Sequence, residues 1–496
     1  MAEKALLCAC EDVTVHDVEV AMAHGHRDIE SVKRYTGLGT GPCQGKSCAA
    51  GAMRILARAG LPESARVSFR ARPPLSPTRI AEYAGLPLEA VEQLGDTPLR
   101  LADPDPSAEA LRPREPLPER ADVVIVGGGI MGLALAWNLC RLGGKSVVVL
   151  ERDYLCAGAS GRNGGGVRAQ WTTPSLIELA TESIDFMSRF AQELGINVWL
   201  RRGGYLFLAH DAATAVRLEA GTSLQRRFGL ATRIISPDEA LDLVPDLDRR
   251  RFVSASWNPD DGVVFPWPFL WGYAEGARRL GARIEAFTRV TGLEASGGRV
   301  RAVRTDRGAI RADSVVVACG AWSPAVARMA GVELPNVPYR HEIASSEPLK
   351  PFLGPLVSML GTGLYFSQSM RGEIVGGMGD HDEPPGANQS SSLRFLARYS
   401  AALAELMPRL GDVKMLRQWA GLYDVTPDGS PVLGESPGVA GLLQMSGFVG
   451  HGFMMAPAVA RRMAAWMGGA ADEMFERFSA RRFAEGRLER ETMIIG

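Results

Sequence analysis

Apolar positions change their period as the chain advances, and the changes mark out a small set of elements. Asp122 to Val126 is a short β-branched run that enters a turn of consecutive glycines. From Ile130 to Leu142 the apolar positions recur at helical spacing, and Ser146 to Leu150 is a second continuous apolar run. This predicts strand, helix, strand, with the two strands parallel because a helix crosses between them. Another apolar strand, Val315 to Ala318, runs into Cys319-Gly320-Ala321-Trp322. The stretches from Gly195 to about Pro268 and from Asn336 to about Leu410 alternate apolar and polar positions, with helices inserted, and predict a second, substrate-facing sheet. Near the start, Val15 to His24 and Asp28 to Tyr35 read as helices, and Leu88 to Leu94 as a short one. Val123 to Cys140 and Val439 to Ala460 are long and apolar, but both are interrupted by glycines, and the second also holds His451 and Pro457. They read as buried strand–turn–helix units, not as membrane spans.

Composition divides the chain into three zones. Residues 1 to 60 hold four of the seven cysteines and three of the seven histidines. Residues 61 to 119 hold 11 of the 31 prolines, among them Pro73-Pro74, Pro104, Pro106, Pro113, Pro116 and Pro118, and read as a semi-extended linker. The remainder is the alternating part. A net charge of -1 leaves no basic field to attract nucleic acid or anionic lipid. Met1 to Thr14 carries Glu3, Lys4, Glu11 and Asp12 and has no apolar core of a secretory leader. A cytoplasmic protein with reduced or metal-bound cysteines is therefore expected. The 56 glycines are an excess over average usage and point to close approach of backbone to a ligand.

Gly127-Gly128-Gly129-Ile130-Met131-Gly132 places that excess in a G-x-G-x-x-G turn after a strand and at the start of a helix. Gly127 permits the turn, Gly129 admits a pyrophosphate, and Gly132 lets helix pack on strand. The free N–H groups at the helix start favour the phosphates. Glu151 ends the second strand, where a carboxylate accepts hydrogen bonds from a ribose diol. Three further features favour FAD over NAD: the glycine-rich loop Gly158 to Gly166, the turn Cys319 to Trp322, and Gly447 to Met454 ahead of an apolar helix. The positive end of that last helix would stabilise charge on a reduced flavin.

With the fingerprint, Gln418-Trp419-Ala420-Gly421-Leu422-Tyr423, Thr426-Pro427-Asp428-Gly429-Ser430-Pro431 and Gly450-His451-Gly452-Phe453, residues 121 to about 470 resemble the FAD-dependent D-amino-acid-oxidase superfamily. The likeness is strongest to its branch of sarcosine oxidase β-subunits and dye-linked proline, opine and hydroxyproline dehydrogenases. The resemblance implies an α/β and α+β fold, a Rossmann-like FAD-binding domain with a mixed-sheet substrate domain. The expected division is 120–200 with 260–335 and 411–475 for FAD, 201–259 with 336–410 for substrate, and 476–496 as a tail. It also implies cofactor contacts at Gly127, Gly129, Ile130, Met131, Gly132, Glu151, Arg152, Ser160, Asn163, Gly164, Gly165, Val290, Gly320, Trp322, Gly421, Gly450, His451, Gly452, Phe453 and Met454. The loop Arg162 to Gly166 departs from a covalent flavin attachment motif.

Cys8-x-Cys10 and Cys43-x4-Cys48 supply four thiolates for zinc or a [2Fe–2S] cluster, or remain unligated, and spacing alone does not choose. The two helices and the phrase Gly41-Pro42-Cys43-Gln44-Gly45 resemble the small helical bacterioferritin-associated-ferredoxin-like [2Fe–2S] domain, which makes residues 1–60 such a domain. His16, His24 and His26 read as surface helix residues. Cys140 and Cys319 read as small buried apolar groups, and Cys156 lies close to the cofactor loop.

Amine oxidation by a flavin needs no protein nucleophile, since the cofactor carries the reaction and the protein orients the substrate. A carboxylate-bearing substrate calls for an arginine. Arg168 matches, by the resemblance, a loop arginine that binds substrate carboxylate, against the alternative of a salt bridge near FAD. Arg340 with His341 comes next, Tyr365 and Tyr423 are candidate lining residues, and His451 is the polar group expected nearest the flavin. The expected function is an amine or amino-acid dehydrogenase that passes electrons from FAD through the cluster to a second redox subunit carrying flavin or nucleotide. That partner could hold it peripherally at the inner membrane. The alternatives are an oxygen-using oxidase with a structural zinc domain and a non-catalytic flavin scaffold.

Overall fold

The computed structural model describes residues 5–63, 68–70, 72–94 and 110–493. Pro104 and Pro106 of the expected linker, with the rest of 95–109, lie outside the described residues, as do the first four residues and the last three. Two large sheets dominate. The first is built on Arg120–Val126, whose apolar run is paired in parallel with Val147–Leu150 on one side and Gly308–Val317 on the other. Arg283–Glu285 extends it in parallel beyond Val147–Leu150. The long strand Gly308–Val317 serves two neighbours: its second half pairs with Leu442–Ser446, and its first half with the antiparallel ribbon Arg299–Thr305 and Val290–Ser296. Leu442–Ser446 pairs in turn with Val432–Glu435.

The apolar face of helix Ile130–Leu142 is buried almost throughout. It packs with helices Pro174–Ser188, Pro266–Arg279 and Gly452–Met467 over one side of this sheet, the largest core of the molecule. The other side is closed by a Val- and Leu-rich cluster that includes Val124, Val148, Val315 and Val326.

The second sheet has nine strands in the order Thr78–Arg79, Lys414–Val425, Val337–Pro348, Glu373–Gly377, Leu364–Gln368, Leu356–Leu360, Tyr205–Ala209, Ser254–Asn258 and Arg233–Ile235. All pairs are antiparallel except Leu356–Leu360 with Tyr205–Ala209, so the sheet is mixed. Two expected boundaries shift. Lys414–Val425, placed with the nucleotide-binding part by the sequence boundary at 411, is the long inner partner of Val337–Pro348. The linker is also more than a connector. Thr78–Arg79 adds a short strand beside Lys414–Met415, and helices Ile80–Ala84 and Leu88–Gln93 pack on helix Leu393–Leu406.

The N-terminal unit is small and mostly helical: a two-stranded ribbon, Leu6–Cys8 with Val13–Thr14, then helices Val15–Ala23, Ile29–Thr36 and Ala49–Arg58. Thr14 opens the first with a capping box to Asp17, and Asp28 caps the second through Ser31. Val18, Ala21, Val32, Leu38, Ala52 and Leu56 form its core. The unit is docked, not free. Arg34 bonds the Tyr154 hydroxyl at 2.7 Å, and Gln44 donates to the carbonyl of Leu416. His26, expected on the surface, is buried against Tyr35 and Trp271.

Candidate active site

The glycine turn after Arg120–Val126 has the shape a dinucleotide requires. Gly127 sits at φ +116°, and a Cβ there would run into the carbonyl of Ala318. A Cβ on Gly132 would run into the carbonyl of Gly127. Helix Ile130–Leu142 begins at Gly129 with no side-chain cap of its own. Ile130 N–H donates to Ser160 Oγ at 3.0 Å, and Gly128 N–H to Glu151 at 2.9 Å. Burial pushes the Glu151 carboxyl up to about 7, against the backbone N–H groups of Asp153 and Gly128. The cradle, the helix start and the strand-end acid therefore fit FAD. Gly320 follows in a turn facing Gly127, and Arg152 stacks on Trp322 at 4.3 Å.

From this cradle the loop Ala159 to Gly166 leads into a cavity of about 800 Å³, counting its open mouth, between the two sheets. The structure gathers there Asn163, Gly164, Gly165, Gly421, Tyr423, Gly450, His451, Phe453 and Met454 from the expected set, together with His341 and Tyr365. Met131 and Gly452 pack against each other just behind. Asn163 braces the loop by donating to Ser160 O and accepting from Gly165 N–H. His341 Nε2 lies 3.0 Å from the Tyr365 hydroxyl, and its ring stacks on Tyr423 at 4.4 Å. Burial holds His341 down to about 4. His451 is pushed well below its ordinary value by burial, with Arg168 and His341 adding to the effect. Both imidazoles are neutral at pH 7. The cavity is thus mostly apolar, with a few uncharged donors and acceptors; Arg162 also lines it, with its guanidinium donating to the carbonyls of Ala157 and Ala420.

Three expected site residues stand elsewhere. Arg340 and His341 are neighbours on one strand, so they face opposite ways. His341 enters the cavity, while Arg340 forms a buried two-pronged ion pair with Glu383, at 2.9 and 2.7 Å. Arg168 is fully buried behind the cavity wall. It stacks on Trp171 at 3.7 Å and donates to the carbonyls of Gln170 and Met493. Val290 opens an outer strand and packs in the second core of the nucleotide sheet. Sequence reasoning overlooked Tyr205, Ile343, Leu356 and Ser367 of the lining. Their signal was only the alternation of strands whose register was not known. Asp428, in the Thr426–Pro431 motif, is bound by Arg482 at 2.7 and 2.9 Å, far from the cavity lining.

In the N-terminal unit the thiols meet in two pairs, Cys10 with Cys43 and Cys8 with Cys48, and the pairs are close enough to influence each other's charge. Cys8 and Cys48 are buried, and Cys10 is exposed. Among the described residues no three His, Cys, Asp or Glu side chains are arranged to hold a single metal ion. Among the described residues, also, no helix is long and apolar enough to cross a membrane.

Comparison with known proteins matches the N-terminal unit to a domain other than the ferredoxin-like one the sequence resembles. Residues 2–86 match the Sarcosine oxidase A3 domain, which extends past residue 60 into the expected linker. The sarcosine oxidase subunit beta of Rhodobacter capsulatus is 31% identical over 386 residues, covering 76% of this chain and 92% of that one. Human mitochondrial dimethylglycine dehydrogenase is 28% identical across 70% of this chain and 42% of its own length. The crystal structure of L-proline dehydrogenase from P. horikoshii superposes with a TM-score of 0.72 at 32% identity, covering 75% of this chain and all of that one. Residues 122–466 match the FAD dependent oxidoreductase family, DAO, and with the glycine cradle and the cavity beyond it the chain belongs to that family.

Proposed function

We propose that the chain oxidises an amino acid or small secondary amine in the cavity between its two sheets, and that the N-terminal unit relays the electrons to a partner subunit. The observation that carries the reading is the neutral, largely apolar cavity at the end of the FAD cradle. FAD, when bound, would supply the acceptor for the α-hydride of the amine, which carries the two electrons of the oxidation. The chain's own residues must bring the amine in uncharged, because an ammonium holds no lone pair to assist loss of its α-hydride. A site that keeps two imidazoles neutral by burial also disfavours an ammonium, so it lowers the cost of losing that proton. His341 Nε2 and the Tyr365 hydroxyl, 3.0 Å apart, are neutral hydrogen-bond partners for the amine nitrogen. The proton it sheds goes to solvent on entry, not to an imidazole that burial keeps neutral. The rings of Tyr423 and Tyr205 and the turn at Gly450 limit the volume and exclude water.

The names of the similar proteins support donors of the sarcosine, dimethylglycine, glycine and proline type. The paired thiols of Cys8, Cys10, Cys43 and Cys48 support a [2Fe–2S] cluster, which would supply one-electron transfer. A two-electron donor coupled to a one-electron carrier calls for a downstream acceptor, and similarity to subunits named beta supports a second chain as its holder. Anaerobic titration of the purified holoenzyme with sarcosine, dimethylglycine, glycine and proline tests the reading. At least one should bleach the flavin, with iron and acid-labile sulfide present in equal amounts. Failure of every amine to bleach it would refute the proposal. Zinc in place of iron, with rapid peroxide release, would leave an oxidase.

A further inference from the structure

The seam between the N-terminal unit and the nine-stranded sheet is short of negative charge. On the body side stand Leu416 to Trp419 of strand Lys414–Val425. Gln44 reaches the Leu416 carbonyl, and the Arg72 guanidinium lies over the Trp419 ring at 5.4 Å. From the other side helix Ile29–Thr36 presents Lys33, a buried residue whose ammonium is 5.1 Å from the centre of the Phe69 ring. Among the described residues no carboxylate comes within ion-pair distance of that ammonium. Glu30, one turn back on the helix, is bound by Arg34 and by the Arg70 N–H at 2.8 Å. Arg417 donates through Nη2 to Glu373 at 3.3 Å and to the Ser345 hydroxyl at 3.4 Å. Its Nη1 is buried and has no partner among the described residues.

The charges that bear on Lys33 come from three elements: Glu30 and Arg34 of its own helix, Arg72 of the linker and Arg417 of the sheet. Burial first, then the three arginines working against Glu30, bring the amine down to about 7. Its nitrogen therefore carries a lone pair in a large share of molecules at neutral pH, beside guanidinium donors that lack an acceptor. Carbamate formation requires both a nucleophilic amine and cations to hold the carboxylate that results. CO2, small and uncharged, enters such a seam without the cost of burying an ion. We propose that the Lys33 amine is a carbamylation site, and that the carbamate formed there from CO2 binds Arg72 and Arg417 and clasps the N-terminal unit to the sheet. The Nζ lone pair forms the N–C bond, one C=O electron pair moves onto oxygen, and an N–H proton leaves to solvent. Amine and CO2 thus give a carbamate anion and one proton. The side chain passes from a charge the arginines repel to one they attract, and Arg417 Nη1 gains an acceptor.

The test uses the full-length FAD-loaded protein, equilibrated with isotope-labelled bicarbonate at pH 8 and read by carbon NMR. A lysine carbamate signal should appear, and should vanish when the pH is lowered to 6 and dissolved CO2 is swept out. Lys33→Met, which removes a buried charge and should fold, must lack that signal. Any carbamate on the N-terminal amine remains in this variant and serves as the internal control. Arg417→Gln leaves the amine in place and should lower its occupancy at fixed bicarbonate by about threefold or more. In thermal melts at pH 8, bicarbonate should raise the midpoint of the parent above that in chloride of equal ionic strength, and should not do so in Lys33→Met. Absence of any signal that depends on Lys33 would overturn the proposal. Equal stabilisation by chloride or phosphate would overturn the clasp and leave the seam a plain anion site, as would full occupancy in Arg417→Gln.

Discussion

Lys33 is 6% exposed, and its ammonium lies beside the Phe69 ring, where Glu30 works against the Arg72, Arg34 and Arg417 charges around it. Burial first, then those cations, bring it down to about 7. Between that value and the ordinary one the unfolded chain binds the extra proton, so stability rises with pH from about 7 toward 10. Below pH 7 the penalty is present in full. Lys33→Met should therefore stabilise the protein at pH 6 by on the order of 1–3 kcal/mol, and by much less at pH 9.5, in thermal melts at the two pH values. Single residues were also where sequence reading was weakest. Nothing in the string Tyr339-Arg340-His341 tells which side chain faces the cavity. A one-residue change of register would exchange them, and register is set by ten paired positions on Lys414–Val425, some eighty residues away.

Elements were far more legible than facing. Helix Ile130–Leu142 and its two flanking strands follow from local period alone, because both signals lie within thirty residues. So did the two capped helices of the N-terminal unit, whose Thr14 and Asp28 are start signals in the sequence itself. The membership of Lys414–Val425 was not legible, since pairing between distant strands leaves no mark on either one. The turn Gly447–Gly450 belongs to the legible class and has a sharp requirement. Gly450 sits at φ +80°, and a Cβ there would enter the Tyr423 ring. Gly450→Ala should lower flavin retention at least severalfold and cost about 1–3 kcal/mol, in absorbance after gel filtration and in denaturant unfolding.

At the scale of the whole molecule, the N-terminal unit is bound to the body through a few buried ionic and aromatic contacts. Arg34 joins Glu30, bonds Tyr154 and stacks on its ring at 4.4 Å. Although burial alone would raise Glu30, Arg34 and Lys33 hold it at about 2. Removing Arg34 leaves that carboxylate buried without its main partner, a loss of about 3–5 kcal/mol. Arg34→Ala should split the calorimetric unfolding into two transitions, the earlier one belonging to the N-terminal unit. A single unchanged transition would mean that the docking rests on the other contacts.

Among the described residues, the outermost long strand of the nine-stranded sheet, Lys414–Val425, has a strand partner on its far side only at Lys414 and Met415. Farther along, the carbonyl of Leu416 is taken by Gln44 and that of Ala420 by Arg162, side chains reaching in from the N-terminal unit and the glycine loop. Exposed backbone of this kind is a template on which a second copy can add its own strand. Gln44 of the N-terminal unit and Arg162 of the glycine loop are therefore also insulators: by capping peptide groups that no described strand covers, they leave less of this edge for a second copy to pair with.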